Sequence, residues 1–86
     1  MKIKDLKKEY NIIDIRSKSK YLKSHIYNAV NIDENLLINL PHLYLDKNKT
    51  YYIYCSNGIH SKRCSMLLNS QGYNVINVED GFENKV

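Results

Sequence analysis

Tyr51-Tyr52-Ile53-Tyr54-Cys55-Ser56-Asn57-Gly58-Ile59-His60-Ser61 decides how this chain is read. Aromatic and β-branched residues form a strand, and the strand delivers one cysteine into a polar, glycine-containing loop that opens into a helix. Amides of a tight loop and the positive end of the following helix point at such a sulfur. That arrangement is expected to lower the thiol's pKa and to offer a site for an anion. The plainer alternative is a small buried cysteine ending a core strand, since free cysteine is among the most buried residue types. The polar loop favours the reactive reading.

Downstream, Ser61 to Gln71 reads as an amphipathic helix, with Cys64, Leu67 and Leu68 at the i, i+3, i+4 spacing of a buried face and Gly72 closing it. Asn74 to Val78 (NVINV) is a last strand, turned by Asp80-Gly81, and the residues that remain are too few for a full final helix. Upstream, Asp46 to Lys49 is a polar turn. Asn11 to Ile15 (NIIDI) is the short apolar run expected of a parallel strand buried on both faces, and it sets Asp14 near the functional carboxyl edge. Ser17 caps a short helical segment through Ser24, Ala29 to Ile32 is extended, and Asp33 caps a second helix with an apolar stripe of Leu36, Leu37, Ile38 and Leu40. Pro41 ends that helix, because proline disfavours the α region for the residue before it. Strands alternating with helices specify an α/β domain with a mostly parallel central sheet flanked by helices on both faces. Ligands of such sheets bind outside the carboxyl ends of the strands, and Cys55 lies at one.

The 86 residues make one domain, 1–86, with a single core. Apolar residues at 43% and charged residues at 26% place the chain among globular rather than disordered proteins. No apolar signal core opens the sequence and no stretch approaches the about 20 apolar residues that span a bilayer, so a soluble cytoplasmic protein with no membrane partner is expected. Two cysteines, Cys55 and Cys64, form neither a disulfide framework nor a paired-cysteine metal site, and no metal is expected. A formal charge of +4 favours small anions or acidic protein patches and is too weak a signal for nucleic acid. The basic KIKDLKK at 2–8 has no interleaved aromatic residue and reads as a solvated face.

The chain resembles a single-domain rhodanese, a sulfurtransferase, along nearly its whole length. Ile13 to Arg16 (IDIR) resembles the family's Ile-Asp-Val-Arg strand end, and Ser24 to Ile32 (SHIYNAVNI) its Gly-His-Ile-x-x-Ala-x-Asn-Ile segment. Cys55 to Ser61 (CSNGIHS) resembles its Cys-x-x-Gly-x-Arg-Ser loop, and Gly72 to Gly81 (GYNVINVEDG) its closing Gly-Tyr-x-Val-x-x-Leu-x-Gly-Gly segment. The resemblance implies that Cys55 accepts a sulfane sulfur from a small anionic donor, becomes a persulfide, and passes the sulfur to a thiol, cyanide or a protein, with no cofactor. Ser56, Asn57, Gly58, Ile59, His60 and Ser61 would form the cradle, their backbone N–H groups holding the persulfide or the donor. Ser61 also stands where a helix N-cap is expected. Asp14 and Arg16 match the family's acid-x-Arg pair and are expected to brace the loop. His25 is expected to be a packed, hydrogen-bonded side chain, Cys64 a core residue, and the protein a monomer.

The sequence departs from the family at His60, where thiosulfate-using members carry arginine. Arginine offers a permanent charge and a planar fork suited to an oxyanion, whereas histidine near a helix N-terminus tends to be neutral, which weighs against thiosulfate as the donor. Ser24 and Asp80 replace family glycines. Lys62 and Arg63, in the first helical turn, are either a solvated surface or a device that steers anionic donors. Two rival functions follow. One is a catalytically weak rhodanese module that binds or regulates a partner; the other is a phosphatase or arsenate reductase, whose longer loop ends in an arginine that this loop lacks.

Overall fold

The computed structural model describes residues 1–83. Four strands, β1 (Asn11–Asp14), β2 (Val30–Asn31), β3 (Thr50–Tyr54) and β4 (Asn74–Asn77), form one sheet in the order β2-β1-β3-β4 with every pairing parallel. Parallel neighbours need crossovers, and α1 (Lys18–Lys23), α2 (Glu34–Asn39) and α3 (Ile59–Ser70) supply them. The domain is thus an α/β fold with a parallel four-stranded sheet flanked by helices, as expected.

The two-residue alternation of the strands divides the core. Ile13, Ile53 and Val75 turn to one face, where Leu37 of α2 and Cys64 and Leu68 of α3 cover them. Ile12, Tyr52 and Tyr54 turn to the other, against Ala29, Val78 and Phe82, with Tyr21 of α1 packed alongside. Ile3 and Leu6, around a single 3-10 turn at Ile3–Asp5, dock on that second cluster, so the basic N-terminal stretch is solvated only by its lysines. Ile13 pairs with Ile53 and Asp14 with Tyr54, which brings the carboxyl ends of β1 and β3 side by side. The winding reverses between these two strands, and the crevice above such a reversal is where ligands of open parallel sheets bind.

The local signals act as read for α1 and α2: the Ser17 hydroxyl accepts from Lys20 N at 3.3 Å, and Asp33 Oδ2 from Leu36 N at 3.1 Å. The apolar stripe of α2 is narrower than expected. Leu37 is fully buried and Ile38 half-buried, whereas Leu36 and Leu40, one turn apart, share the outward face at 46% and 39% exposure. In α3 the buried stripe is Ser61, Cys64, Ser65 and Leu68, and Leu67 is 40% exposed. That stripe keeps the i, i+3, i+4, i+7 spacing but counts from Ser61, which places a serine where the leucine was expected. No helix among the described residues is long and apolar enough to cross a membrane. Of the final segment, residues 84–86 lie outside the described residues.

Candidate active site

Cys55 follows β3 directly, and α3 starts at Ile59, so the turn between them is very short. Gly58 makes it possible. Its φ is +85°, and a Cβ there would stand 2.3 Å from the carbonyl oxygen of Glu79, a contact no other residue type can make. The left-handed turn aims amides back at the sulfur: Gly58 N lies 3.1 Å and Ser61 N 3.3 Å from Cys55 Sγ. These two donors, at the N-terminal end of a 12-residue helix, concentrate positive potential at the thiol.

The cradle is smaller than the whole Ser56–Ser61 loop. Ile59 N is held by Asn57 Oδ1 at 3.0 Å, which shapes the loop instead of reaching the sulfur. Asn57 Oδ1 itself lies 3.9 Å from Sγ. Ser61 is not the helix N-cap: Gly58 takes that position, without a side-chain cap bond, and Ser61 is fully buried in the first turn. Its hydroxyl lies 3.3 Å from Cys55 Sγ and 2.5 Å from Asn77 Oδ1. A hydroxyl has one proton, so it donates to Asn77 while accepting from the Cys55 thiol, and it can turn to the sulfur when the thiol ionises.

Asp14 and Arg16 stand beside this loop as a buried pair. Arg16 Nη2 and Nε lie 2.8 and 3.1 Å from Asp14 Oδ2, and Arg16 N donates to Oδ1 at 2.8 Å. The Tyr54 hydroxyl donates to Asp14 Oδ2 at 2.7 Å, and Arg16 Nη2 donates to Ser24 O at 2.6 Å. Burial opposes the Arg16 charge, yet Asp14 holds the guanidinium above the ordinary arginine range. Burial first, then Asp14, pushes the Tyr54 phenol well up, which keeps it a donor. The guanidinium also lies over the Phe82 ring, 4.4 Å from its centroid.

A strap after β4 closes the site from below. Phe82 N donates to Cys55 O at 2.8 Å and Glu83 N to Ser56 O at 2.9 Å. Gly81, at φ +69°, passes so close that a Cβ would lie 2.6 Å from Asn57 Cα. The strap is tied to the start of the chain, since Glu79 N donates to Met1 O at 3.0 Å and Ile3 N to Asp80 Oδ1 at 3.0 Å.

A cavity of about 380 Å³ opens above Cys55, walled by Arg16, Lys20, Glu34, Ser56 and His60. His60 is 65% exposed and its Nδ1 lies 3.5 Å from Glu34 Oε1, while Arg63 Nη2 is 3.9 Å from Oε2. Lys20, Glu34 and Asn77 reach the site from other elements and carry no local motif that marks them; an acid opening α2 is the only hint for Glu34. Cys64 is fully buried, and burial, with Glu34 adding, pushes its thiol up to about 12. It is core. His25 stacks on Tyr21 at 3.8 Å between centroids, and its Nδ1 lies 2.7 Å from Tyr21 O.

A cysteine cradled by amides at the end of a central parallel strand, with a buried acid–arginine brace beside it, defines the rhodanese class of domain. The chain belongs to the rhodanese-like domain family, which it matches over residues 2–85. A tRNA sulfurtransferase of Thermoplasma acidophilum is 38% identical over 65 residues, 76% of this chain but 13% of that protein. A Staphylococcus saprophyticus protein of known crystal structure has a TM-score of 0.79 at 33% identity, covering 92% of this chain and 77% of that one. A rhodanese-like domain protein from Staphylococcus aureus has a TM-score of 0.74 at 31% identity, covering 90% and 74%.

Proposed function

We propose that the protein is a sulfurtransferase that moves a sulfane sulfur from thiosulfate or a persulfide to a thiol, cyanide or protein acceptor through a persulfide on Cys55. One observation carries this reading: two backbone amides and the Ser61 hydroxyl converge on Cys55 Sγ at the floor of an open cavity. The two amides stabilise a thiolate, the nucleophilic form of cysteine, and the Ser61 hydroxyl, which accepts from the thiol, can turn to donate once the sulfur ionises. The thiolate attacks the outer sulfur of the donor. With thiosulfate, the S–S bond of the donor breaks, sulfite leaves with its electron pair, and Cys55 carries the new S–S bond as a persulfide anion. An acceptor thiolate then attacks the outer sulfur, takes it as its own persulfide, and returns Cys55 as a thiolate. The likeness to the Thermoplasma relative, a tRNA sulfurtransferase, supports the reaction class.

A second reading, a catalytically weak module that binds a partner, is favoured by His60, which stands in the wall beside Glu34 where an arginine would offer a fixed charge. Mass spectrometry separates the two. The protein is incubated with thiosulfate, and separately with a persulfide donor, and its intact mass is recorded with and without reductant. A reversible gain of one sulfur, lost in Cys55→Ser, is the expected result. No gain from either donor overturns the enzyme reading in favour of the binding module.

A further inference from the structure

Among the described residues, Arg16 and Lys20 are the two permanent cations in the wall around Cys55, and one carboxylate already holds them both. Glu83 Oε1 lies 3.2 Å from Lys20 Nζ and 3.7 Å from Arg16 Nη1, and Oε2 lies 3.3 Å from Lys20 Nζ. Lys20 Nζ also reaches Ser56 Oγ at 3.3 Å, so this cluster adjoins the residue after the nucleophile. The position of Glu83 is set by its backbone, because the strap's bonds to Cys55 O and Ser56 O deliver its side chain to Lys20 and Arg16, which line the cavity. Hydrogen bonding to Lys20 holds the Glu83 carboxyl below its usual range, so it is an anion across neutral pH.

We infer that Glu83 is a specificity-determining residue whose carboxylate occupies an anion site made by Lys20 and Arg16, so that an anionic sulfur donor binds only by displacing it. The remaining charge of the wall acts in the same direction. Arg16 is neutralised first by Asp14, and the wall also carries the Glu34 carboxylate, whose nearest cation, Arg63 Nη2, stands 3.9 Å from an Oε2 that accepts no hydrogen bond among the described residues. A dianion such as thiosulfate meets both carboxylates, whereas a persulfide of low charge needs neither cation freed. Glu83 thereby biases the pocket toward persulfide donors. The consequence for turnover rests on the sulfur-transfer reading; the anion site itself does not.

The test therefore starts without chemistry. In a Cys55→Ser protein at low ionic strength, thiosulfate is titrated while the backbone amide signals of Lys20 and Ser56 are followed by NMR. Adding Glu83→Gln should tighten thiosulfate binding by about two- to fivefold, the range open to an exposed ion pair, with Glu83→Ala doing the same. Adding Lys20→Met should abolish that gain. Binding that is unchanged or weaker in both Glu83 variants, or a gain that survives Lys20→Met, overturns the proposal. In the active protein, Glu83→Gln should lower KM for thiosulfate and leave kcat nearly unchanged. If no variant transfers sulfur but the binding cycle holds, the sulfurtransferase reading fails and the Glu83 site stands.

Discussion

Ser61 meets the Cys55 sulfur twice, through its amide nitrogen and its hydroxyl, each 3.3 Å from Sγ. Both groups belong to the first turn of α3, so the helix carries them to the sulfur as one rigid unit. The amide donates in either protonation state, and the hydroxyl accepts from the thiol or donates to the thiolate.

Ser61→Ala removes the reversible partner and keeps the amide. A hydrogen bond to a charged group contributes about 1.5–3 kcal/mol, so persulfide formation from either donor should slow by at least about tenfold. The fold should persist, since alanine fits a buried helical position. Quenched-flow mass spectrometry measures the rate, and an unchanged rate would take the hydroxyl out of the chemistry.

Cys64 should behave as the inert thiol and as a source of alkaline instability. Iodoacetamide at neutral pH should label Cys55 in the folded protein and Cys64 only after unfolding. Burial raises the folded-state pKa of Cys64 from 9.0 to about 12, so the unfolded chain releases this proton first as pH rises. Its contribution is complete below about pH 9 and is lost toward pH 12, at up to about 1.4 kcal/mol per pH unit. Urea melts of Cys64→Ala at pH 8 and 10.5 should show about 1 kcal/mol less stability at the lower pH and a shallower loss between the two. The loss that remains at high pH belongs in part to Tyr54, whose phenol is also raised by burial.

Asp14→Asn should be the most damaging single substitution at the brace. It leaves the Arg16 guanidinium, 4% exposed, with the more distant, half-exposed Glu83 carboxylate as its counter-charge and weakens the acceptor of the Tyr54 hydroxyl. Breaking a buried pair in this way costs about 3–5 kcal/mol, against roughly 1.5–3 kcal/mol for Tyr54→Phe, which removes one hydrogen bond to the carboxylate. Equilibrium urea denaturation compares them. Equal costs would mean that Arg16 finds another partner.

His60→Arg should improve thiosulfate use at neutral pH by less than tenfold. The new guanidinium would lie beside Glu34, 3.5 Å from the present imidazole, and that carboxylate competes for it. Combining His60→Arg with Glu34→Gln should restore the full gain, about tenfold for about 1.4 kcal/mol of recovered transition-state binding. The ratio kcat/KM for thiosulfate reads the effect. A single variant already equal to the double one would show that Glu34 does not capture the arginine.

The parts of the site that lie close together in the chain were legible in the sequence. The β3 strand, Cys55, Gly58 and the place of Asp14 at the strand edge are written in local patterns of composition and spacing, whereas Arg16 as its partner came only from the resemblance of Ile13 to Arg16 to the family's strand end. Ser61 was misread as a cap because a serine ahead of a helix has that signature, whereas the left-handed turn at Gly58 lets α3 begin at Ile59 and draws Ser61 inside. Leu67 was misread because it and Ser65 flank the Cys64–Leu68 line on opposite sides, and hydropathy alone prefers the leucine to Ser65, whereas the sheet lies on the side of Ser61 and Ser65. Lys20, Glu34, Asn77 and Glu83 come to the pocket from separate segments, so only the closed sheet reveals them as neighbours of Cys55.

The strap also fixes when, in the life of the chain, the sulfur acquires its surroundings. Ribosomes deliver Cys55 before Gly81, Phe82 and Glu83, and the bond between Ile3 N and Asp80 spans 77 positions of sequence. Contacts of such long range form late in folding, after loop closure over most of the polypeptide. A nascent chain therefore carries Cys55 and its loop before Phe82 and Glu83 can hold the carbonyls of Cys55 and Ser56, and those two bonds form only when the strap has emerged.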